Sequence, residues 1–270
     1  MLTLFAELGA DAVEPAPWNI ASVGVEEFGR LADEHRLTVS CVATGIDYRF
    51  GSEPVQDVRR ALRRSIDEAA ALRCPLVTTY VGGDADAAYD ATIAEIREGI
   101  APCAQYASSL GIRILVENVF DTRGDDPTGR KLSRTVEGCR QLMEQLADLE
   151  VGMTLDPCNF LVANEDPWDA FEQLSGFVGN IHIKDAAPAS DGSETLDGRV
   201  VWHDTVGGAF VGLPSGEGHS RLDLIIRAAI AGGFDGPLTI EHVVADVTGP
   251  DTRDRYRAEI DWARRLVAMA

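Results

Sequence analysis

Four acidic or imidazole side chains stand where apolar, strand-like runs of the sequence end. The runs are RILVENVF, GMTLDP, NIHIKDA and LTIEHV, and the residues concerned are Glu117, Asp156, His182 and Glu241. A carboxylate at the end of a buried strand is unfavourable unless a partner compensates its charge. Three carboxylates and one imidazole form a donor set that suits Mn²⁺, Mg²⁺, Co²⁺ or Zn²⁺. We therefore predict that these four residues bind one divalent metal ion.

Each of these residues also has a plain structural interpretation when it is taken alone. An acid at a strand end can cap the next helix or pair with an arginine. His182 can be a core histidine whose nitrogens are satisfied by neighbours. The recurrence of all four in the same structural position favours the metal site. Asn118 and Tyr80 lie at or near strand ends as well, and we predict that they line the same pocket and bind substrate.

The elements that must position these residues follow a regular order. Apolar runs alternate with amphipathic helical patterns, and the runs predicted as strands are residues 11–15, 37–45, 74–83, 112–120, 151–157, 179–186 and 236–244. Strands that are apolar on both faces indicate a parallel sheet covered by helices. Strand centres near 41, 78, 116 and 154 recur every 37 or 38 residues, which favours a (β/α)₈ TIM barrel. In such a barrel the strand ends surround one bowl.

The predicted strands leave the barrel one strand short, because the chain opens in a helical pattern, LTLFAELGA. We expect the first strand to be missing or shortened at the N-terminus. A chain of 270 residues suits a single TIM-barrel domain over residues 1–270. Residues 187–221 form one long segment without regular periodicity, and we predict a partly ordered loop there, over the barrel mouth.

Composition argues against several classes of partner. The chain has 44 acids against 24 bases and a formal net charge of −20, which opposes binding to nucleic acid or to an anionic membrane. No apolar run approaches the ~18 residues of a membrane span, and the N-terminus lacks the basic start of a signal peptide. The five cysteines are scattered, without a CxxC pair. These features predict a reduced, cytoplasmic protein.

The order of Glu117, Asp156, His182 and Glu241, with IHIKD and GEG…LTIE around the last two, resembles the xylose isomerase-like TIM barrel superfamily. The resemblance runs from AELGADAVE to GGFDGPLTIE and so covers nearly the whole chain. It implies that the four residues bind one divalent metal ion, with Mn²⁺ as the first candidate. It also implies that Glu117 and Glu241 form the acid–base pair. A first strand normally precedes the AELGADAVE helix in this superfamily.

The resemblance implies an isomerase or epimerase that removes a proton next to the carbonyl of a keto-sugar or related polyol, through an enediolate. Lys184 would contact a substrate oxygen or act as an electrophile, with Asp185 as its partner, and we predict that both residues bind substrate. Because the sequence has no Gly-rich phosphate loop and no arginine cluster near the four residues, we expect an unphosphorylated sugar or cyclitol. Barrels of this kind often pair, so a homo-oligomer is a further expectation.

Two departures from the superfamily's patterns bear on the function. Ketohexose epimerases carry a histidine three positions after the metal-binding aspartate, where this chain has Asn159. Asparagine can bind a substrate hydroxyl but cannot titrate near neutral pH. This difference favours the alternative of a dehydratase or lyase of an oxo-sugar or inosose through the same enediolate. The other departure is from the abasic-site endonucleases, because this acidic chain has only five histidines and lacks their additional metal ligands.

A third alternative is a barrel that serves as a non-catalytic subunit. An inactive copy could lose its ligands freely, whereas all four candidate residues are present here. The sequence therefore predicts an enzyme.

Overall fold

The structure is a computed structural model that describes residues 1–82, 89–120, 132–189, 195–196, 199–204, 208–241 and 250–270. The α-helices in these residues are α1 (Leu2–Leu8), α2 (Pro17–Ala21), α3 (Val25–Glu34), α4 (Val55–Ala71), α5 (Tyr89–Ser109), α6 (Val136–Leu146), α7 (Pro157–Val162), α8 (Pro167–Leu174), α9 (Leu222–Ala231) and α10 (Pro250–Met269). Short 3₁₀ helices lie at Ala147–Leu149 and Ser175–Phe177. Among the helices of the described residues, none is both long and apolar enough to cross a membrane.

Strands alternate with these helices for most of the chain, as the sequence predicts. They are β1 (Ala12–Val13), β2 (Thr38–Val39), β3 (Val42–Ala43), β4 (Arg49–Phe50), β5 (Leu76–Val81), β6 (Arg113–Glu117), β7 (Gly152–Leu155), β8 (Val178–Ile183), β9 (Asp185–Pro188), β10 (Thr195–Leu196), β11 (Arg199–Asp204), β12 (Gly208–Leu213) and β13 (Leu238–Ile240). Every run predicted as a strand contains at least part of one. The last residues of the runs 74–83 and 236–244 lie outside the described residues.

A parallel sheet carries the candidate residues. Its strands follow the order β13–β8–β7–β6–β5–β3, and β4 also pairs with β5. The register places Tyr80 beside Glu117 and Thr239 beside His182. Strands β6 and β7 are buried along nearly their whole length, as expected for a parallel sheet covered by helices. The α/β class and the parallel pairing predicted from the sequence are confirmed.

The chain groups into two compact units. The first comprises residues 1–117 and 140–154, and the second comprises residues 118–139 and 155–270. In the first unit, Leu62 and Ile66 of α4 are fully buried, since their spacing places them on one helix face. In the second unit, one core cluster joins α9 and α10 to Ile183 of β8. The single domain predicted from the sequence stays a prediction.

The segment predicted as an irregular loop, 187–221, contains strands. Strands β9 to β12 form an antiparallel sheet in the order β10–β11–β12–β9. The prediction of irregular structure was wrong because one face of these short strands is stabilised by tertiary packing that local periodicity does not show. In that packing, Trp202, Phe210 and Ala186 belong to a cluster with Cys158 and Val162 of α7. The predicted position over the barrel mouth stays a prediction.

All five cysteines are buried free thiols. Burial raises the pKa of the Cys74 thiol to about 12, so this group is un-ionised at neutral pH. The cysteines therefore serve as small core residues, as their apolar sequence surroundings predict.

A buried ion pair joins the segment before α6 to the antiparallel sheet. Arg134 donates from Nε to Oδ1 of Asp204 at 3.1 Å and from Nη2 to Oδ2 at 2.5 Å. The same Nη2 donates to the main-chain oxygen of Ala163 at 3.0 Å, beyond the end of α7. The two side chains are only 6% and 0% exposed, so the pair is well shielded from water. Its forked geometry fixes the direction of β11 relative to α7.

We expect Arg134→Met to lower the free energy of unfolding by about 3–5 kcal/mol, because it leaves the Asp204 carboxylate buried without its arginine. The double variant Arg134→Met/Asp204→Leu should recover much of this loss, since no buried charge remains. Urea unfolding followed by circular dichroism measures both. Arg97→Met is the control, because Arg97 pairs with Asp148 at the surface and such pairs contribute about 1 kcal/mol or less. If Arg134→Met and Arg97→Met lower the free energy of unfolding equally, this account of the buried pair is wrong.

Candidate metal centre

The strands place the four candidate residues at equivalent positions. Glu117 is the last residue of β6, Asp156 directly follows β7, His182 is the last but one residue of β8, and Glu241 directly follows β13. The N–H of Glu241 donates to the main-chain oxygen of Ile183 at 3.1 Å. This bond extends the pairing of β13 with β8 by one residue and so fixes the position of the Glu241 main chain.

The structure brings the four side chains together. Each offers one ligand atom, and these atoms all lie within 4.8 Å of one another. Ligand atoms on opposite sides of one ion, at about 2.1 Å each, lie about 4.2 Å apart. Separations of up to 4.8 Å mean that the set would contract when it binds an ion. With three carboxylates and one imidazole, this cluster could hold a divalent metal ion. That it does so stays a prediction.

Asp156 has a separate task for each carboxylate oxygen. Its Oδ1 accepts the N–H of Asn159 at 3.1 Å and so caps the N-terminus of α7. Its Oδ2 lies 2.6 Å from Nζ of Lys184 in a buried ion pair. The capping role considered for a strand-end acid is thus present, and it leaves one oxygen facing the cluster.

The amides of Asn118 and Asn159 hold the backbone around Asp156. Asn118 donates from Nδ2 to the main-chain oxygen of Asp156 at 2.9 Å and accepts the Asp156 N–H on Oδ1 at 2.8 Å. Asn159 donates from Nδ2 to the main-chain oxygen of Asn118 at 2.8 Å. The sequence predicted both residues as substrate-binding, and this stays a prediction. Their positioning role was not foreseen.

Glu241 is held by two cationic or hydrogen-bonding groups. Its Oε2 accepts a bond from Lys184 Nζ at 3.0 Å and lies 3.2 Å from Nδ1 of His182. Burial by itself raises the pKa of Glu241, but the Lys184 charge and the His182 hydrogen bond outweigh it and hold the pKa well below the usual range. Glu241 is therefore ionised at neutral pH, as a metal ligand must be. Its side chain is 40% exposed, so it is the ligand candidate most open to small molecules.

Asp185 has partners that the sequence did not predict. Its buried carboxylate accepts four main-chain N–H groups at 2.9–3.0 Å, which belong to Ala186, Gly216, Gly218 and Ser220. The predicted pair of Asp185 with Lys184 was wrong, since Lys184 contacts Asp156 and Glu241. Binding of substrate by Asp185, which the sequence also predicts, stays a prediction.

Glycine at position 218 is required by this arrangement. An added Cβ would lie 2.3 Å from Oδ1 of Asp185. The GEG motif at 216–218 was the visible sequence signal for this loop, although its carboxylate partner could not be read from it. Tyr80, predicted as substrate-binding, lies on β5 beside Glu117 and is 9% exposed. Its contact with a substrate stays a prediction.

Comparison with known proteins supports the resemblance found in the sequence. The family model described as xylose isomerase-like TIM barrel matches residues 2–266. No curated protein sequence matched at a significant level.

Solved structures resemble the chain over nearly its whole length. A xylose isomerase-like TIM barrel protein from Mycobacterium smegmatis, in complex with magnesium, is 19% identical with a TM-score of 0.71, over 99% of this chain and 87% of that one. The probable 3-DHS dehydratase AsbF from Bacillus anthracis is 16% identical with a TM-score of 0.70, over 96% and 90%. The 3-keto-D-glucoside 4-epimerase YcjR from E. coli is 15% identical with a TM-score of 0.69, over 98% and 92%. At these identities the likeness shows the fold, and it confirms the predicted TIM barrel.

We expect His182→Ala to weaken Mn²⁺ binding by at least about 100-fold, because removing a ligand should exceed the effect of removing a ligand's hydrogen-bond partner. The measurements are metal content by mass spectrometry, on protein purified without chelator, and Mn²⁺ titration by calorimetry. His203→Ala is the matched control, since His203 is an exposed residue of β11 outside the cluster. Equal metal content in wild type and His182→Ala would exclude this centre.

We expect Asn118→Ala to weaken Mn²⁺ binding by about 10-fold, because Asp156 loses the two hydrogen bonds that hold its main chain. Saturating Mn²⁺ should restore the bound state, since all four candidate ligands remain. The same calorimetric titration measures the effect, with Gln173→Ala as an exposed amide control. An unchanged affinity would show that Asp156 is held in place without Asn118.

Proposed function

Because this chain belongs to the xylose isomerase-like TIM barrel family, we propose that it is a divalent-metal-dependent sugar isomerase or epimerase. The observation that carries the proposal is the convergence of Glu117, Asp156, His182 and Glu241, whose ligand atoms lie within 4.8 Å of one another. The proposed reaction is proton removal next to the carbonyl of a keto-sugar or related polyol.

The four residues would hold one ion, with Mn²⁺ as the first choice and Mg²⁺, Co²⁺ or Zn²⁺ as alternatives. When bound, such an ion supplies Lewis-acid polarisation of a substrate carbonyl. The magnesium complex of the Mycobacterium smegmatis protein supports this choice of cofactor class, as a property of a protein with the same fold.

Glu117 and Glu241 would be the acid–base pair. Their strands, β6 and β13, are separated in the sheet by β7 and β8. The Glu241 carboxylate would accept the proton, as the general base. A protonated Glu117 would deliver its own proton to the other face of the carbon, while Glu241 keeps the proton that it removed, and the result is an epimer. Return of the removed proton from Glu241 to the neighbouring carbon would instead give ketose–aldose isomerisation.

Lys184 would orient a substrate oxygen. Its ammonium lies 2.6 Å from Asp156 and 3.0 Å from Glu241, so it is fixed beside the proposed base. With a formal net charge of −20, the chain is better suited to a neutral sugar or cyclitol than to a phosphorylated one. A cytoplasmic location and assembly into a homo-oligomer remain part of the proposal.

The second candidate function is a dehydratase or lyase of an oxo-sugar or inosose. The observation that favours it is Asn159, which cannot transfer a proton in place of the histidine found in ketohexose epimerases. Its Nδ2 donates to the main chain of Asn118, so the side chain is part of the protein's own hydrogen-bond network. The AsbF structure shows that a probable dehydratase shares the fold. A non-catalytic barrel stays the least favoured alternative.

In D₂O with Mn²⁺, we expect the wild type to exchange the proton next to the carbonyl of at least one keto-sugar. Glu117→Gln and Glu241→Gln should each reduce this exchange by about 10²–10⁴-fold, because each removes one proton-transfer group. Glu144→Gln is the control, since Glu144 lies on exposed α6 surface and pairs with Arg140.

Proton NMR measures the exchange and identifies the product. An epimer or aldose supports the isomerase, and a dehydrated product supports the lyase. No exchange by metal-loaded wild type with ketohexoses, keto-glucosides or inososes would refute both candidate functions.

A further inference from the structure

We propose that Trp202 is a substrate-stacking residue, and that it selects sugars or cyclitols that present a face of C–H groups. This inference rests on the proposed function and specifies its substrate class. The residue lies on the antiparallel sheet that the sequence did not predict.

The ring of Trp202 is fixed by the protein and partly open. Trp202 lies on β11 with Phe210 as its register partner on β12. Trp202 is partly buried and packs against a buried hydrophobic cluster that includes Phe210 and Val162. At Gly212 an added Cβ would lie 3.0 to 3.7 Å from three atoms of the indole. Glycine therefore lets the ring lie against strand β12 at this point.

The Trp202 ring lies near Lys184, the ammonium group beside the candidate metal centre. Nζ of Lys184 lies 6.0 Å from the centroid of the Trp202 ring. The same ammonium contacts Asp156 and Glu241. A six-membered sugar ring with its hydroxyls is large enough to place an oxygen on Lys184 and its carbon atoms against the indole.

The two groups match the two kinds of surface on a sugar. Hydroxyl and carbonyl oxygens around the edge of the ring suit Lys184 and the carboxylates. The C–H groups on one face suit a flat indole, which gives a large apolar contact area at low entropic cost because it has few rotatable bonds. An axial hydroxyl on that face would lose its hydration without gaining a partner. Trp202 would therefore discriminate between epimers.

The test compares three replacements of Trp202 in Glu117→Gln protein, at a Mn²⁺ concentration shown by calorimetry to saturate that variant, so that binding is read without turnover. Saturation-transfer NMR with D-fructose, D-tagatose and myo-inositol detects which C–H protons of the bound molecule contact the protein. We expect Trp202→Phe to retain binding, whereas Trp202→Leu and Trp202→Ala weaken it by about tenfold, which equals about 1.4 kcal/mol. In the catalytically intact background, the same change should appear in KM.

His203→Ala is the matched control, because His203 follows Trp202 on the same strand and points to the opposite face. It should leave both binding and KM unchanged. Trp202→Leu keeps an apolar side chain in the cluster, so it separates packing from stacking. If Trp202→Leu binds sugar as well as wild type, the role of Trp202 is packing alone and the inference is wrong.

The outcomes separate this inference from the proposed function. Unchanged binding in every Trp202 variant, with catalysis intact in the wild type, refutes the stacking role and leaves the function standing. Sugar binding that depends on an aromatic residue at 202, without any proton exchange, supports stacking and refutes the isomerase. Failure of all three compounds to bind refutes the stacking role as stated.

Discussion

The compensation of buried carboxylate charge is the constraint on which the candidate centre depends. Asp156 is fully buried, and Glu117 and Glu241 offer ligand atoms within 4.8 Å of it. Like charges this close repel strongly where water is excluded. The Lys184 ammonium, at 2.6 Å from Asp156 and 3.0 Å from Glu241, supplies the protein's own positive charge. A divalent ion bound by the cluster would compensate the same charge more completely, which is the physical argument for the metal site that we propose.

Main-chain hydrogen bonds hold the residues that carry this charge. Asn118 bonds both polar groups of the Asp156 main chain, and Asp156 itself caps α7. Asp185, next to Lys184, accepts four main-chain N–H groups. These contacts fix side-chain directions without using the oxygen of Asp156 that faces Lys184. The geometry of the centre is thus set by amides and carboxylates that need not touch a substrate.

Within the second compact unit, the antiparallel sheet β9–β12 lies next to Asp156 and Lys184 in the chain. It begins at Asp185, immediately after Lys184, and packs on α7, immediately after Asp156. The buried pair of Arg134 and Asp204 attaches β11 to the C-terminal end of α7. A segment whose sequence resembles a loop therefore flanks both Asp156 and Lys184, and it carries the Trp202 ring that we infer to bind sugar.

The sequence by itself determined the alternation of strands and helices, the parallel sheet and the positions of Glu117, Asp156, His182 and Glu241 at strand ends. These follow from local apolar periodicity and from the geometry common to parallel strands. Only the tertiary structure decided that Lys184 faces Asp156 and Glu241, that Asp185 faces main-chain amides, and that 187–221 contains strands. Such partners come from distant parts of the chain, and hydrogen bonds between them leave no periodic signal in the sequence.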